Sequence, residues 1–391
     1  MRLVLSTFLL LLVPFAAAAS PAGDSNLMQG APPPPDKRVT RENFLLAPYI
    51  RWSLQHVREL YPTRPVYPAP GPPMRLPASP RDLSAVCIDG VSGKPLGLDD
   101  WLRESATDAL VILHGGDVVY ERYFNGQSAD TRHQMFSATK SVTGLLMALL
   151  AQEGRVDRSR EVREFLPELS DSAYGDATVE QVMDMTVALD FNEDYADPDA
   201  DIARFGYVFG IAGPPQGYPG PLTVEAYLAT LQKSGEHGKA FHYITPDSEV
   251  LGWILRRVSQ VSLATLLEQR LWQPMGAEHS AYYWLDHGAT EMAGAGLNMT
   301  ARDAARLGLL LLRGGQYQGR RVLPGSVVAE IFEPGNRSVF NRHYQDRWHE
   351  EIAYAYHDQW WTFNNAHKAV SAIGVHGQFI YLDPVADVVI V

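Results

Sequence analysis

From Met135 to Gly154 the chain reads MFSATKSVTGLLMALLAQEG, a helix-length run that is apolar on almost every side. Such a helix is buried, so the fold has to be built around it. Ser137 and Lys140 stand at its start, three residues apart and so on one face. A lysine is thus led toward an interior beside a hydroxyl. Two readings are open: a capping serine with a lysine reaching for the surface, or a nucleophile with its base. Lysine is scarce in this chain, six against twenty-seven arginines, which makes a casual lysine in a core helix the less natural reading.

Around this helix the pattern is mixed. ALVILHGGDVVYERYFNG, from Ala109, is two strand-like runs about a Gly115-Gly116-Asp117 turn, a hairpin. The helix itself stops at Gly154, a suitable residue just past a helix end. Further helices start at Thr178, with Gln181 completing a capping box, at Thr245 with Pro246 behind it, in SLATLLEQRLW, and at Thr300, the last closing at Gly314 or Gly315. GQFIYLDPVADVVIV is two strands about Asp383-Pro384. Strands at both ends with helices between imply one antiparallel sheet from distant segments, flanked by helices, with a mainly helical domain inserted: an α/β (α+β) fold. The expected division is 81–140 with 280–391 for the sheet domain and 141–279 for the helical one. The apolar end VVIV would ordinarily be followed by something that covers it, which suggests a truncated sequence.

The N-terminus has a short positive start, an apolar stretch LVLSTFLLLLVPFAAAA and small residues near Ala19 to Ala22. That is the pattern of a secretory signal over 1–22; a retained anchor is the alternative, although the run is short for a span. Residues 23–80 are Pro-rich and are expected to form a tether followed by an extended arm, Tyr61 to Pro80, over the domain surface. Cys87 is alone and forms no internal disulfide. The expected location is periplasmic or secreted. A net charge of −12 disfavours nucleic acid and anionic membranes as partners. Oligomeric state is not legible.

Ser-x-x-Lys alone is weak, since one or two chance matches are expected in about 400 residues. Its placement is what matters. A serine hydroxyl needs a base, a lysine is one only when its pKa is lowered, and a helix start offers N–H groups to a developing oxyanion. In FHYITPDSEVLGW, Tyr243 is held just before a helix and can pass a proton to a leaving group. In SAIGVHGQFIY, Gly374 and Gly377 permit close approach of backbone to substrate.

Taken together, the hairpin, FSATKS, VMDMTVALDFNEDYADPD, FHYITPDSEVLGW, AGAGLNMTARDAARLG and GVHGQFIYLDP resemble the serine β-lactamase and penicillin-binding-protein superfamily, over most of Ala109 to Val391. Within it the chain is similar to the class C-like esterases and 6-aminohexanoate-oligomer hydrolases. The resemblance implies a β-lactamase/transpeptidase-like fold, Ser137 as acylating nucleophile, Lys140 as general base and Tyr243 as the tyrosine of a Tyr-x-Asn element, with Thr245 in place of the asparagine. It implies that Tyr195 closes over substrate, and that the N–H groups of Ser137 and Val375 form the oxyanion hole, with His376 and Gly377 in contact with substrate. Ala372-Ile373-Gly374 stands where β-lactamases and DD-peptidases carry Lys-Thr-Gly, a departure that argues against β-lactam recognition. The expected activity is hydrolysis of small esters or linear amides through an acyl-enzyme, without metal or organic cofactor. β-Lactamase or DD-peptidase activity, and a catalytically idle sensing module, remain as alternatives.

Other motifs are weaker. LHGG lacks the Gly-x-Ser-x-Gly elbow an α/β-hydrolase needs. DFNEDYADPDAD begins like a calcium loop at Asp190, Asn192 and Asp194, but has Tyr195 where glycine belongs and Asp201 where glutamate does.

Overall fold

The computed structural model describes residues 26–90, 93–211, 213–343 and 354–391; the expected signal segment lies outside the described residues. The strands that frame the molecule are β1 (Thr63–Val66), β2 (Ala109–His114), β3 (Asp117–Tyr123), β4 (His133–Gln134), β5 (Ala281–Trp284) and β6 (Leu297–Met299). They are followed by β7 (Ala355–His357), β8 (Trp360–Thr362), β9 (Val370–Gly374), β10 (Gln378–Asp383) and β11 (Val388–Ile390). A seven-stranded sheet runs β7-β8-β9-β10-β11-β2-β3, antiparallel throughout. Segments far apart in the chain therefore meet in one sheet, β11 pairing with β2. In β2, Val111 and Leu113 are fully buried while their neighbours are half-buried, the period-2 pattern of a strand with two unequal faces. Gly115 and Gly116 both take positive φ, 66° and 94°, as the tight β2–β3 turn demands.

Helix α1 (Leu98–Glu104) packs on one face of this sheet through Leu98 and Leu102, against Leu110 and Tyr120. The opposite face carries α2 (Ala138–Gln152) and, later in the chain, α5 (Ala301–Leu312). On α5, Gly308 lies against Leu382 and Val389 with no room for a side chain. Beyond α2 lie α3 (Val179–Met183), opened by the Thr178–Gln181 capping box, and α4 (Thr245–Ser259). Helix α2 is buried from Ala138 to Leu150, because it packs on β9 from one side and on α4 from the other. That sandwiched position explains the apolar sequence all round it.

Two expectations change. A single sheet was expected, but β4, β5 and β6 join β1 in a separate four-stranded sheet of order β1-β5-β6-β4. Every residue of β5 is buried, so it is covered on both faces and cannot lie at an edge of the large sheet. The Pro-rich arm runs over the surface for most of its length but is also tied into a sheet. Its β1 pairs antiparallel with β5, and Pro65 is tolerated because β1 is an edge strand. Val66 and Met74 are fully buried, as are Leu27, Val39 and Phe44 upstream; Phe44 sits edge-on to Trp284 at 5.7 Å. The described part of the segment read as a tether is mostly exposed from 28 to 38 and is pinned to the core at Leu27, Val39 and Phe44.

Candidate active site

The turn ahead of α2 is tightly wound. Phe136 takes φ +44°, a left-handed conformation costing roughly 1–3 kcal/mol in a non-glycine residue and characteristic of functional sites. Ala138 N–H donates to Met135 O (3.1 Å), Thr139 N–H to Phe136 O (2.9 Å) and Lys140 N–H to Ser137 O (2.9 Å). Ser137 occupies the cap position with helical φ −62° and ψ −14°, and its hydroxyl makes no capping bond. The capping-serine reading therefore fails, because a helical cap residue does not present its oxygen to the first-turn N–H groups. Ser137 Oγ instead accepts from Lys140 Nζ at 3.3 Å.

Lys140 is 1% exposed, so it does not reach for the surface. Its Nζ also donates to Thr245 Oγ1 (3.0 Å) and Gly294 O (2.9 Å). Burial pulls its pKa down to about 8, against the opposing pull of Glu193, Glu249 and Asp247. Glu249, fully buried, accepts from Ala293 N–H (2.9 Å) and Gly294 N–H (2.8 Å); burial raises its pKa to about 7 despite those bonds. It holds the Gly294 carbonyl where Lys140 meets it. Gly294 itself has no room for a side chain, since a Cβ would lie 2.9 Å from Thr245 Cγ2 and 3.1 Å from Glu249 Oε1. Asp247, also buried, accepts from Tyr174 O–H at 2.8 Å, and burial holds its pKa well above the carboxylate range.

Tyr243 approaches Lys140 through its ring face, with Nζ 5.3 Å from the ring centroid. The ring stacks on Trp361 at 5.4 Å and meets Tyr356 edge-on at 5.9 Å, within an aromatic cluster that includes Phe241 and Phe340. The cap position of α4 is Ile244 and the helix begins at Thr245, one residue earlier than a Thr245 cap with Pro246 behind it would place it. Thr245 does not cap because an outside carboxylate does: Glu193 Oε2 accepts Thr245 N–H at 2.5 Å and Oε1 accepts its hydroxyl at 2.7 Å. Tyr195 exposes 46% of its surface, yet its hydroxyl turns inward to Glu193 Oε1 at 2.6 Å.

The end of β9 closes the site. Val370, Ala372 and Gly374 share one strand face. A Cβ on Gly374 would stand 2.3 Å from Met135 O and 3.2 Å from Ala138 N. Only glycine lets the strand come this near the Ser137 turn. Val375 follows directly, and His376 (φ +64°) and Gly377 (φ +83°) turn the chain into β10. His376 lies 5.4 Å from the Phe136 ring, and burial lowers its pKa. The structure thus joins Ser137, Lys140 and Tyr243 directly and Tyr195 through Glu193 and Thr245, and it sets Val375, His376 and Gly377 just past Gly374 in the chain. Sequence reasoning missed Glu193, Glu249 and Gly294. Glu193 stood two residues before Tyr195 in NEDYADPD, but no spacing rule links it to Thr245 across 52 positions.

The calcium-like stretch spends its oxygens on its own backbone: Asn192 N–H donates to Asp201, Asp194 N–H to Asn192 Oδ1 and Ala196 N–H to Asp194 Oδ1. Asp184, His357 and Asp358 lie close enough to converge on a cation, but Arg158 already sits 3.2 Å from Asp358 and makes the group an ion-pair network.

A seven-stranded antiparallel sheet with a buried Ser-x-x-Lys helix defines a class. Residues 98–391 match the β-lactamase family model, and the chain belongs to that family. It is 34% identical over 352 residues, 90% of this chain and 87% of the relative, to the 6-aminohexanoate-dimer hydrolase of Paenarthrobacter ureafaciens. A solved structure from Bacillus anthracis, provisionally named a 6-aminohexanoate-dimer hydrolase, superposes with TM-score 0.81 at 34% identity, covering 90% of each chain. A family VIII carboxylesterase shares the fold alone, with TM-score 0.52 at 18% identity over 72% of this chain and 84% of that one. The protein is a serine hydrolase acting on amide or ester bonds.

Proposed function

We propose that the protein hydrolyses small linear amides and esters, 6-aminohexanoate-type oligomers among them, through an acyl-enzyme on Ser137. The observation that carries this reading is the 3.3 Å contact between Ser137 Oγ and Lys140 Nζ, both side chains being buried. In the neutral form Lys140 takes the hydroxyl proton as Oγ attacks the carbonyl carbon. The N–H groups of Ser137 and Val375 receive the oxyanion. Tyr243 passes a proton to the leaving amine or alcohol, and water then releases the acid. Tyr195 covers the bound chain from its exposed loop. Ala372, Ile373 and Gly374, in place of a lysine and hydroxyl on β9, leave no cation there for a β-lactam carboxylate. The apolar N-terminal stretch fits an enzyme exported to the periplasm or beyond.

The test is hydrolysis of p-nitrophenyl butyrate and of the 6-aminohexanoate dimer, with intact-protein mass spectrometry. Turnover and a transient acyl adduct should both vanish in Ser137→Ala. A folded wild type with neither adduct nor turnover overturns the reading. A persistent adduct without turnover makes the protein an acylated sensor.

A further inference from the structure

The hydrogen bonds around Lys140 have a direction, and Glu193 sets it. Three donors converge on the Glu193 carboxylate: Thr245 N–H (2.5 Å), Thr245 O–H (2.7 Å) and Tyr195 O–H (2.6 Å). A carboxylate with three donors serves as an acceptor only. Thr245 has a single hydroxyl proton and gives it to Glu193, so toward Lys140 Nζ at 3.0 Å its oxygen accepts. The third neighbour of Nζ, the Gly294 carbonyl at 2.9 Å, also only accepts. A neutral amine has two N–H bonds and one lone pair. With both N–H bonds drawn to Thr245 and Gly294, the lone pair is left for the remaining neighbour, Ser137 Oγ at 3.3 Å.

We propose that Glu193 is a positioning residue: by forcing Thr245 to accept, it aims the Lys140 lone pair at Ser137. This rests on the Ser137 and Lys140 roles proposed above. Without Glu193, Thr245 is free to donate its proton to Nζ and compete with Ser137 for the lone pair. Glutamine makes the contrast sharpest, because its amide N–H can donate to Thr245 Oγ1 and reverse the chain. Charge alone works the other way. Glu193 pulls the Lys140 pKa up, so its loss leaves the lysine more readily neutral and, on charge alone, a better base at neutral pH. Glu249, Asp247 and the Tyr243 ring surround Lys140 as well, and Glu193→Gln leaves them in place.

The experiment is the pH profile of kcat and kcat/KM for p-nitrophenyl butyrate in the wild type, Glu193→Gln, Thr245→Val and the double variant. Acylation of Ser137 in the wild type is first confirmed by mass. The expected result for Glu193→Gln is an acid limb displaced to lower pH together with a plateau kcat lowered at least about tenfold. In the Thr245→Val background, with no hydroxyl to orient, adding Glu193→Gln should change kcat less than about threefold. A plateau equal to wild type, or an equal loss in both backgrounds, overturns the proposal while the acyl-enzyme reading stands. Absence of the Ser137 adduct in wild type overturns the acyl-enzyme reading instead. Should Glu193→Gln melt below the assay temperature, Thr245→Ser and Thr245→Val decide. The serine variant keeps the directed hydroxyl and should retain kcat within about threefold, while the valine variant should lose at least about tenfold. Equal activity in the two refutes the idea.

Discussion

Gly374→Ala tests how the site is assembled, because one methyl group there meets backbone. Its Cβ would lie 2.3 Å from Met135 O, 3.0 Å from Gln378 Cβ and 3.2 Å from Ala138 N. Met135 O cannot rotate away, since it accepts the Ala138 N–H that closes the turn holding Ser137. Restoring ordinary contact beyond 3.4 Å requires about 1 Å of separation between β9 and the Ser137 turn. A displacement of that size costs about 100-fold in rate, and losing one oxyanion donor costs about 10²–10³. The expected kcat is therefore about 100-fold below wild type, with KM much less affected. Overpacking should also cost about 1–3 kcal/mol of stability, read as a lower melting temperature. The assay is steady-state hydrolysis of p-nitrophenyl butyrate at a temperature where the melt shows the variant folded. Gly115→Ala in the β2–β3 turn is the control: a Cβ there meets nothing within 4 Å, so only the left-handed strain of about 1–2 kcal/mol applies, and kcat should stay within about threefold. Wild-type kcat in Gly374→Ala, or an equal loss in Gly115→Ala, refutes the argument that this close approach builds the oxyanion site.

Two further outcomes follow from the titrating groups. Burial lowers the Lys140 pKa to about 8 and the base acts when neutral, so kcat/KM should rise with pH and level off above about 8; a profile flat from pH 6 to 9 contradicts Lys140 as base. His357 is raised to about 9, because its hydrogen bond and charge contact with Asp184 outweigh the effect of burial. A group whose folded pKa exceeds its unfolded value of about 6.5 stabilises fully below that value and loses the contribution as pH rises through the folded pKa. Chemical denaturation should therefore show the wild type more stable than His357→Gln at pH 6 by a margin that shrinks by pH 9.5; a margin constant with pH excludes the ion pair as its cause.

Much of the architecture was legible because it is written in local rules. The β2–β3 hairpin follows from alternation and two glycines, and the α3 start from a capping box. The burial of α2 follows from its unbroken apolar run. Packing of the N-terminal arm was hidden, since Pro-rich composition says only that a segment is a poor helix. Whether Pro65 lies in a strand depends on the partner β5 supplies, more than 200 residues away. The second sheet escaped notice for the same reason, its strands of two to four residues being too short to carry a periodic signal.

By itself the sequence determined that a serine and a lysine share the first turn of a core helix, that tyrosines stand at two later points, and that glycines flank a C-terminal strand. Those are matters of spacing, and spacing within one element fixes geometry. Tertiary structure alone decided which carbonyl and hydroxyl meet the Lys140 ammonium and which carboxylate orders their protons. It also decided how close Gly374 comes to the Ser137 turn. Each of these contacts joins segments 50 to 240 residues apart, and each depends on burial, which is a property of the packed whole. The lysine's chemistry follows from that burial: a side chain ordinarily charged in water becomes a base only where the fold has removed the water.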